Sequence, residues 1–187
     1  RGEEVETLVR LMSSERLVTI TGAGGAGKTR LAQQVAAELL ETLPDGAWWV
    51  ELAALTDPVE IPGAIARATG TKAELGDQAV DALVERLAGT RLLIFDNCEH
   101  LVAGVARLVD ELLRRCPDLR VLATSREPLA VDGELAWRIP PLGVPPLNPP
   151  VGAQIETVRQ YDAVRLFLDR AQRVRPNFHL DDTSAPL

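Results

Sequence analysis

The chain has 187 residues, 46% of them hydrophobic and 25% charged, a balance that allows one sizeable α/β domain with a fragment of a second. Its formal net charge of −7 argues against a nucleic-acid-binding surface on this segment, because duplex binding is dominated by phosphate neutralisation. No apolar run reaches the ~18 residues of a membrane span, and no signal peptide opens the chain, so it reads as cytosolic with no membrane partner.

Cys98 and Cys116 lie among apolar neighbours and read as buried thiols in a reducing compartment rather than a disulfide. His100 and His179 are too far apart in sequence to suggest a metal site. The chain opens at Arg1 without a methionine, which reads as a trimmed start. Val5, Leu8, Val9 and Met12 (or Leu11) then recur at helical spacing and predict an amphipathic helix leading to the first strand.

The β-branched run Val18-Thr19-Ile20 predicts a buried strand, and it leads into Gly22-Ala23-Gly24-Gly25-Ala26-Gly27-Lys28-Thr29. This stretch fits G-x-x-x-x-G-K-[ST], a glycine loop closed by a helix start. Glycines permit backbone angles at which several N–H groups converge on one phosphate, and the helix beginning near Gly27 adds its positive end. Lys28 is expected to reach the β- and γ-phosphates and the Thr29 hydroxyl to ligate Mg²⁺. The nucleotide-binding set is therefore Gly22 to Gly27, Lys28, Thr29 and the adjoining Arg30.

Leu31, Val35, Leu39 and Leu40 carry the stripe of the following helix, which Pro44-Asp45-Gly46 ends. A strand is predicted at 47–52, where Trp48 and Trp49 read as core more readily than as a base-stacking platform. Asp57-Pro58 opens a helix around 59–68, and Val80, Leu83, Val84 and Leu87 mark another over 77–88.

Arg91-Leu92-Leu93-Ile94-Phe95-Asp96 reads as a strand buried on both faces, as in a parallel sheet covered by helices. It ends on a carboxylate, at the strand end where open α/β sheets bind ligands. Asp96 is placed to hold Mg²⁺ near Lys28 and Thr29; the plainer alternative is a helix cap. Asn97 stands where many P-loop ATPases carry the glutamate that orients water, and an amide is no base. Glu99 and His100 are the nearby substitutes, although an acidic residue in a first helical turn is also favoured by the helix dipole alone. Slow hydrolysis is the expectation.

A helix follows over 101–113, then a strand at 119–123 and Thr124-Ser125-Arg126-Glu127-Pro128. Arg126 is positioned to sense a γ-phosphate with its guanidinium fork, or to be a surface arginine. A fifth strand fits 135–139. Six prolines between Pro140 and Pro150 mark an extended linker, and a helix is predicted over 157–174, stopped by Arg175-Pro176. The tail from Asn177 reads as the approach to something further. Strands alternating with helices imply a doubly wound parallel sheet.

The phosphate loop, Leu92-Leu93-Ile94-Phe95-Asp96-Asn97-Cys98-Glu99-His100 and Val121-Leu122-Ala123-Thr124-Ser125-Arg126-Glu127-Pro128-Leu129 together resemble an NB-ARC-type STAND ATPase of bacterial SARP and LuxR-like transcription regulators. The resemblance covers about residues 1–175, and Arg1 to Glu6 is similar to the tail of the family's Gly-Arg-x-x-Glu motif, which borders the adenine. It implies a P-loop NTPase three-layer sandwich, a five-stranded parallel sheet of order 5-1-4-3-2 and the start of a helical lid. It also places Thr124 to Arg126 in the sensor-1 position.

The implied division is a nucleotide-binding domain over 1–143, a proline-rich linker over 144–156 and the beginning of an ARC-like helical domain over 157–187. The implied ligands are ATP or ADP with Mg²⁺. The implied partners are other domains of a larger parent chain and a nucleotide-dependent second copy. The function so implied is an ATP/ADP switch with slow ATPase activity. The alternatives are a structural module that never hydrolyses its nucleotide, and a DNA-associated AAA-type ATPase. The last commonly carries an acidic pair where this chain has Asp96-Asn97.

Overall fold

The computed structural model describes residues 1–41, 43, 46–71, 77–89, 92–146 and 155–180. Their elements in chain order are α1 (Gly2–Ser14), β1 (Leu17–Thr21), α2 (Lys28–Leu40), β2 (Ala47–Glu51), α3 (Ile61–Thr69), α4 (Asp77–Leu87), β3 (Leu92–Asp96), α5 (Val102–Arg115), β4 (Arg120–Ser125), β5 (Glu134–Arg138), α6 (Ile155–Val158) and α7 (Asp162–Val174). The strands pair in parallel in the order β2-β3-β4-β1-β5. This is the 5-1-4-3-2 sheet that the resemblance implied.

Successive residues of a strand face opposite sides of the sheet, and both sides of this sheet are apolar. Leu93, Phe95, Val121 and Ala123 pack with Ile65, Leu83, Leu87, Val105, Val109 and Leu112 of α3, α4 and α5. Leu92, Ile94, Val18, Ile20 and Leu122 pack with Leu8 and Met12 of α1 and Leu31 and Val35 of α2. The four-residue apolar run of β3 is therefore buried throughout, and each such side chain contributes about 2 kcal/mol of burial. Trp48 and Trp49 lie against these two clusters respectively, in the core role expected of them, and the Arg86 guanidinium stacks on the Trp48 ring at 4.9 Å.

Local chemistry sets the boundaries. Asp57 accepts the Val59 N–H and starts a short 3₁₀ turn, Pro58–Glu60, so that α3 begins at Ile61 rather than 59. Gly70, at φ +70°, closes α3. Arg16 donates to the carbonyls of Leu113, Cys116 and Leu119 and satisfies the end of α5. Leu40, expected on the buried stripe of α2, is 50% exposed, and Ala32 and Ala36 take up that face beside Leu31, Val35 and Leu39. Pro44 and Asp45, expected to end α2, and Arg91, expected to open β3, lie outside the described residues, as do most of the 144–156 linker and residues 181–187.

The chain separates into two compact units, Arg1–Ile139 and Pro140–Leu187. In the second unit the helix predicted over 157–174 is two helices, α6 and α7. Tyr161 is extended (φ −71°, ψ 134°) and caps α7, with Asp162 in its first turn. Within this unit Ala163 N–H donates to Gly143 O, and Phe167 and Phe178 meet edge to face at 5.8 Å. Among the described residues no helix is long and apolar enough to cross a membrane.

Candidate functional site

β1 ends at Thr21, and residues 22–27 join it to α2. Gly25 (φ +77°) and Gly27 (φ +91°) take left-handed backbone angles, and Ala26 N–H closes a turn onto Ala23 O. Gly22 serves a different need. A Cβ at that position would stand 2.4 Å from Ile139 Cγ2, so glycine lets the loop pass beneath the end of β5. Gly27 is the N-cap of α2, and no side chain caps the helix and no acidic residue sits in its first turn. Its first N–H groups are thus left without a side-chain acceptor.

Lys28 is the second mark of an anion site. Its side chain is buried, and Nζ donates to Gly22 O at 2.9 Å and Ala23 O at 3.1 Å. Among the described residues it has no carboxylate partner, and a buried cation without a counter-charge is costly unless an anion neutralises it. The cradle therefore fits a phosphate group.

Asp96, at the carboxyl end of β3, is 6% exposed. Its Oδ1 accepts two hydroxyls, Thr29 Oγ1 at 2.9 Å and Thr124 Oγ1 at 2.5 Å. Its Oδ2 carries no hydrogen bond among the described residues. A carboxylate and a hydroxyl are hard oxygen donors that suit Mg²⁺, which takes one or two protein ligands and completes its shell with phosphate and water. No group of three His, Cys, Asp or Glu able to hold a metal by itself occurs among the described residues.

Arg126 follows β4 and lies at the phosphate loop: its Nη2 is 3.6 Å from where a Cβ would stand on Gly24. Its Nε donates to Glu99 Oε1 at 3.0 Å. Glu99 belongs to a short 3₁₀ turn, Cys98–His100, and its Oε2 is buried without a hydrogen bond among the described residues. His100 is committed elsewhere. Its Nε2 faces the carbonyls of Leu52 (3.1 Å) and Leu55 (2.9 Å), which makes that nitrogen the donor and leaves Nδ1 to face Asn97 Nδ2 at 3.4 Å. His100 thus ties the turn after β3 to the exit of β2. Asn97, left-handed at φ 65° and ψ 52°, donates its N–H to Thr124 Oγ1. Asparagine tolerates that region better than most residues.

The fold accordingly brings Gly22 to Gly27, Lys28, Thr29, Asp96, Arg126 and Glu99 into one connected group. Arg30 is adjacent in sequence, exposed, and without a hydrogen bond or ion pair among the described residues. Two residues that the resemblance placed near the site make contacts that the sequence does not specify. Thr124 joins Asp96 to Asn97, and Arg1 donates from Nη2 to Ala26 O at 3.3 Å, bringing the start of α1 to the phosphate loop. Both are long-range contacts, which periodicity does not encode.

Comparison with known proteins agrees with this geometry. Residues 10–131 match the AAA-domain family. A protein of Mycobacterium tuberculosis named as an HTH-type transcriptional regulator is 41% identical over 177 residues, 94% of this chain and 18% of that protein. An uncharacterised protein of the same organism is 39% identical over 186 residues, 99% of this chain and 44% of the relative. The regulatory protein AfsR of Streptomyces griseus is 35% identical over 119 residues, 57% of this chain and 11% of AfsR. The chain thus spans less than half the length of these relatives.

Among solved structures, a STAND protein with a tetratricopeptide repeat sensor from Pyrococcus horikoshii aligns with a TM-score of 0.54 at 18% identity, covering 78% of this chain and 23% of that one. AMPPCP-bound DnaA from Aquifex aeolicus aligns at 0.51 and 16% identity, covering 97% of this chain and 52% of DnaA. Such identities speak for the fold. Together with the phosphate loop and the sheet order, the match over residues 10–131 settles the family: the chain belongs to the AAA-domain family of P-loop ATPases.

Proposed function

We propose that the chain is an ATP/ADP-dependent switch module of NB-ARC type, with slow hydrolysis, acting inside a larger regulatory protein. The observation that carries this reading is the position of Arg126, whose guanidinium lies beside Gly24 of the phosphate loop and is suited to meet a γ-phosphate that ADP lacks. A switch requires such a difference, because a ligand with equal affinity for two states shifts neither. The likeness to AfsR and to the mycobacterial HTH-type regulator supports a parent protein that regulates transcription.

In this reading the loop N–H groups and the start of α2 receive phosphate oxygens, and Lys28 neutralises them. Thr29 and Asp96 hold Mg²⁺, and Arg126 reports the terminal phosphate. Bound Mg²⁺ and the triphosphate would supply the charge and the transferable phosphoryl group. Asn97 cannot accept a proton as a carboxylate does, and His100 has both ring nitrogens engaged. Hydrolysis is slow for that reason. Adenine nucleotide and the other domains of the parent chain are its partners, and a second copy is an ATP-dependent one.

Calorimetric titration with ATP and ADP, with and without Mg²⁺, tests this reading beside Lys28→Ala. Removing one partner of a buried charge contact costs about 2–5 kcal/mol. Lys28→Ala should therefore weaken nucleotide binding by at least about 30-fold, and the unsubstituted chain should prefer ATP with Mg²⁺. A second reading, in which the nucleotide is a permanent structural ligand, is favoured by Asn97. It predicts no population change between ATP and ADP in scattering or hydrogen exchange, and no turnover.

A further inference from the structure

We propose that Glu99 is a positioning residue for Arg126: it anchors Nε so that the two Nη groups stay free and aimed along the phosphate loop. The proposal rests on the switch reading above. It assigns to Glu99 the task of orienting the guanidinium rather than that of a base.

Like Arg115–Asp81, this ion pair joins residues far apart in sequence, but its acid is far less exposed, 15% against 66%. Arg114–Asp110, Arg115–Glu111 and Arg173–Asp169 join residues one helical turn apart, with both partners at least 38% exposed. Such pairs decorate a solvated helix face. Arg126 and Glu99 are 27 residues apart and come from different strand ends. Glu99 is 15% exposed, the lowest among carboxylates in the described ion pairs, whereas Arg126 is 66% exposed. A fixed, sunken acid holds a long, exposed cation.

The mode of contact is equally informative. Arginine and carboxylate commonly pair through two parallel N–H···O bonds, which satisfy both oxygens. Here, among the described residues, only Nε is engaged, at 3.0 Å, and Glu99 Oε2 is left buried without a donor. Nη1 and Nη2 make no hydrogen bond among the described residues, and Nη2 lies 3.6 Å from the Cβ position of Gly24. A guanidinium held by Nε alone keeps the fork that suits phosphate oxygens. Anchoring also removes rotamer freedom before the ligand arrives, which strengthens binding without any new contact.

The sign of one substitution separates this role from simple electrostatics. Glu99→Gln removes a negative charge near the site, so a purely electrostatic role predicts tighter ATP binding. Positioning predicts the reverse. Calorimetry of the full chain should show that Glu99→Gln, and Glu99→Asp with its shorter reach, lower affinity for ATP with Mg²⁺ by about three- to tenfold more than affinity for ADP with Mg²⁺. The same changes placed on Arg126→Ala should produce no further loss of preference. Tighter ATP binding by Glu99→Gln, or an equal loss of preference with Arg126 absent, would overturn the proposal.

A second measurement needs no nucleotide. In the arginine side-chain ¹⁵N spectrum, identified against Arg126→Ala, the Arg126 Nε–H should be visible and slow to exchange, and should be lost in Glu99→Ala, which removes the acceptor. A rapidly exchanging Nε–H in the unsubstituted chain overturns the anchor. Equal ATP and ADP affinities alongside a protected Nε–H would instead remove the switch reading and leave the anchor standing. Circular dichroism and the urea midpoint of each variant establish that it is folded, and Glu99→Asp serves if Glu99→Gln is not.

Discussion

The Thr124 hydroxyl lies 2.5 Å from Asp96 Oδ1, so the end of β4 fixes the carboxylate at the end of β3. The same oxygen of Thr124 accepts the N–H of Asn97 at 2.9 Å, and Thr124 is 1% exposed. Thr124→Val keeps the shape, removes one donor from a buried carboxylate and leaves a backbone N–H without a partner. Its expected cost is about 2–4 kcal/mol, whereas Thr124→Ser should stay within about 1 kcal/mol. Urea unfolding midpoints of the two variants decide it, and equal midpoints would show that the hydroxyl holds nothing.

The glycines of the phosphate loop should not respond alike to alanine. Gly22→Ala meets Ile139 Cγ2 at 2.4 Å, so Ile139 or the loop must move, at about 1–3 kcal/mol. Gly27→Ala meets no atom within 4 Å but must hold φ +91°, which costs about 1–2 kcal/mol. At Gly24 the nearest atom is Arg126 Nη2 at 3.6 Å, ordinary contact, and φ is not in the left-handed region. Gly24→Ala should leave thermal stability nearly unchanged while altering nucleotide affinity. A melting temperature for Gly24→Ala as low as that of Gly22→Ala would contradict this ranking.

The elements that were legible in the sequence are those written in local pattern. Val18-Thr19-Ile20 before a glycine loop, and Leu92 to Phe95 before Asp96, became β1 and β3 because apolar and β-branched residues fill strands buried on both faces, Thr19 and Thr21 included. The strand order came from resemblance and not from periodicity. What differed from expectation lay outside apolar spacing. The helix over 157–174 broke because Tyr161 leaves the helical region and Asp162 opens a new first turn, a capping signal that a count of apolar spacing passes over. Leu40 sat on the right stripe but one position beyond the packed face. The contacts of Thr124, Arg1 and Ile139 with the site depend on chain closure over many residues, and no spacing rule reports them.

Glu134 should prove a determinant of the loop that carries Arg126. Its Oε1 accepts the N–H of Leu129 at 2.8 Å and its Oε2 that of Ala130 at 2.7 Å, while Ala130 itself sits at φ +60°. Glu134→Ala removes two charge-assisted bonds and is expected to cost about 1.5–3 kcal/mol. Ala130→Gly relieves a left-handed alanine against a modest loss of chain rigidity, and should stabilise by about 0.5–1 kcal/mol. Chemical denaturation of both variants checks the pair of signs. Destabilisation by Ala130→Gly would mean that the backbone there is not under strain.

Cys98 makes the chain sensitive to alkali. Its thiol is fully buried, and burial, followed by the neighbouring Asp96 charge, pushes it far above the ordinary thiol range. Burial also raises Cys116, against which Arg115 and Arg16 act. In the folded chain Cys98 keeps its proton through moderate alkali, whereas in the unfolded chain it ionises near pH ~8.5. Unfolding therefore releases a proton above that pH, and the stability this thiol contributes is complete below it and declines as pH rises. Each pH unit beyond the unfolded value removes about 1.4 kcal/mol per thiol. Cys98→Ala should lower stability at pH 7 by creating a small cavity, and it should flatten the fall between pH 8.5 and pH 10.5 by about one proton's worth of slope. The second readout is reactivity. At pH 8 the native chain should leave both thiols unmodified by an aromatic disulfide reagent, and urea should expose both. Prompt modification of one native thiol, or identical pH slopes with and without Cys98, would show that the residue is not sealed in the core.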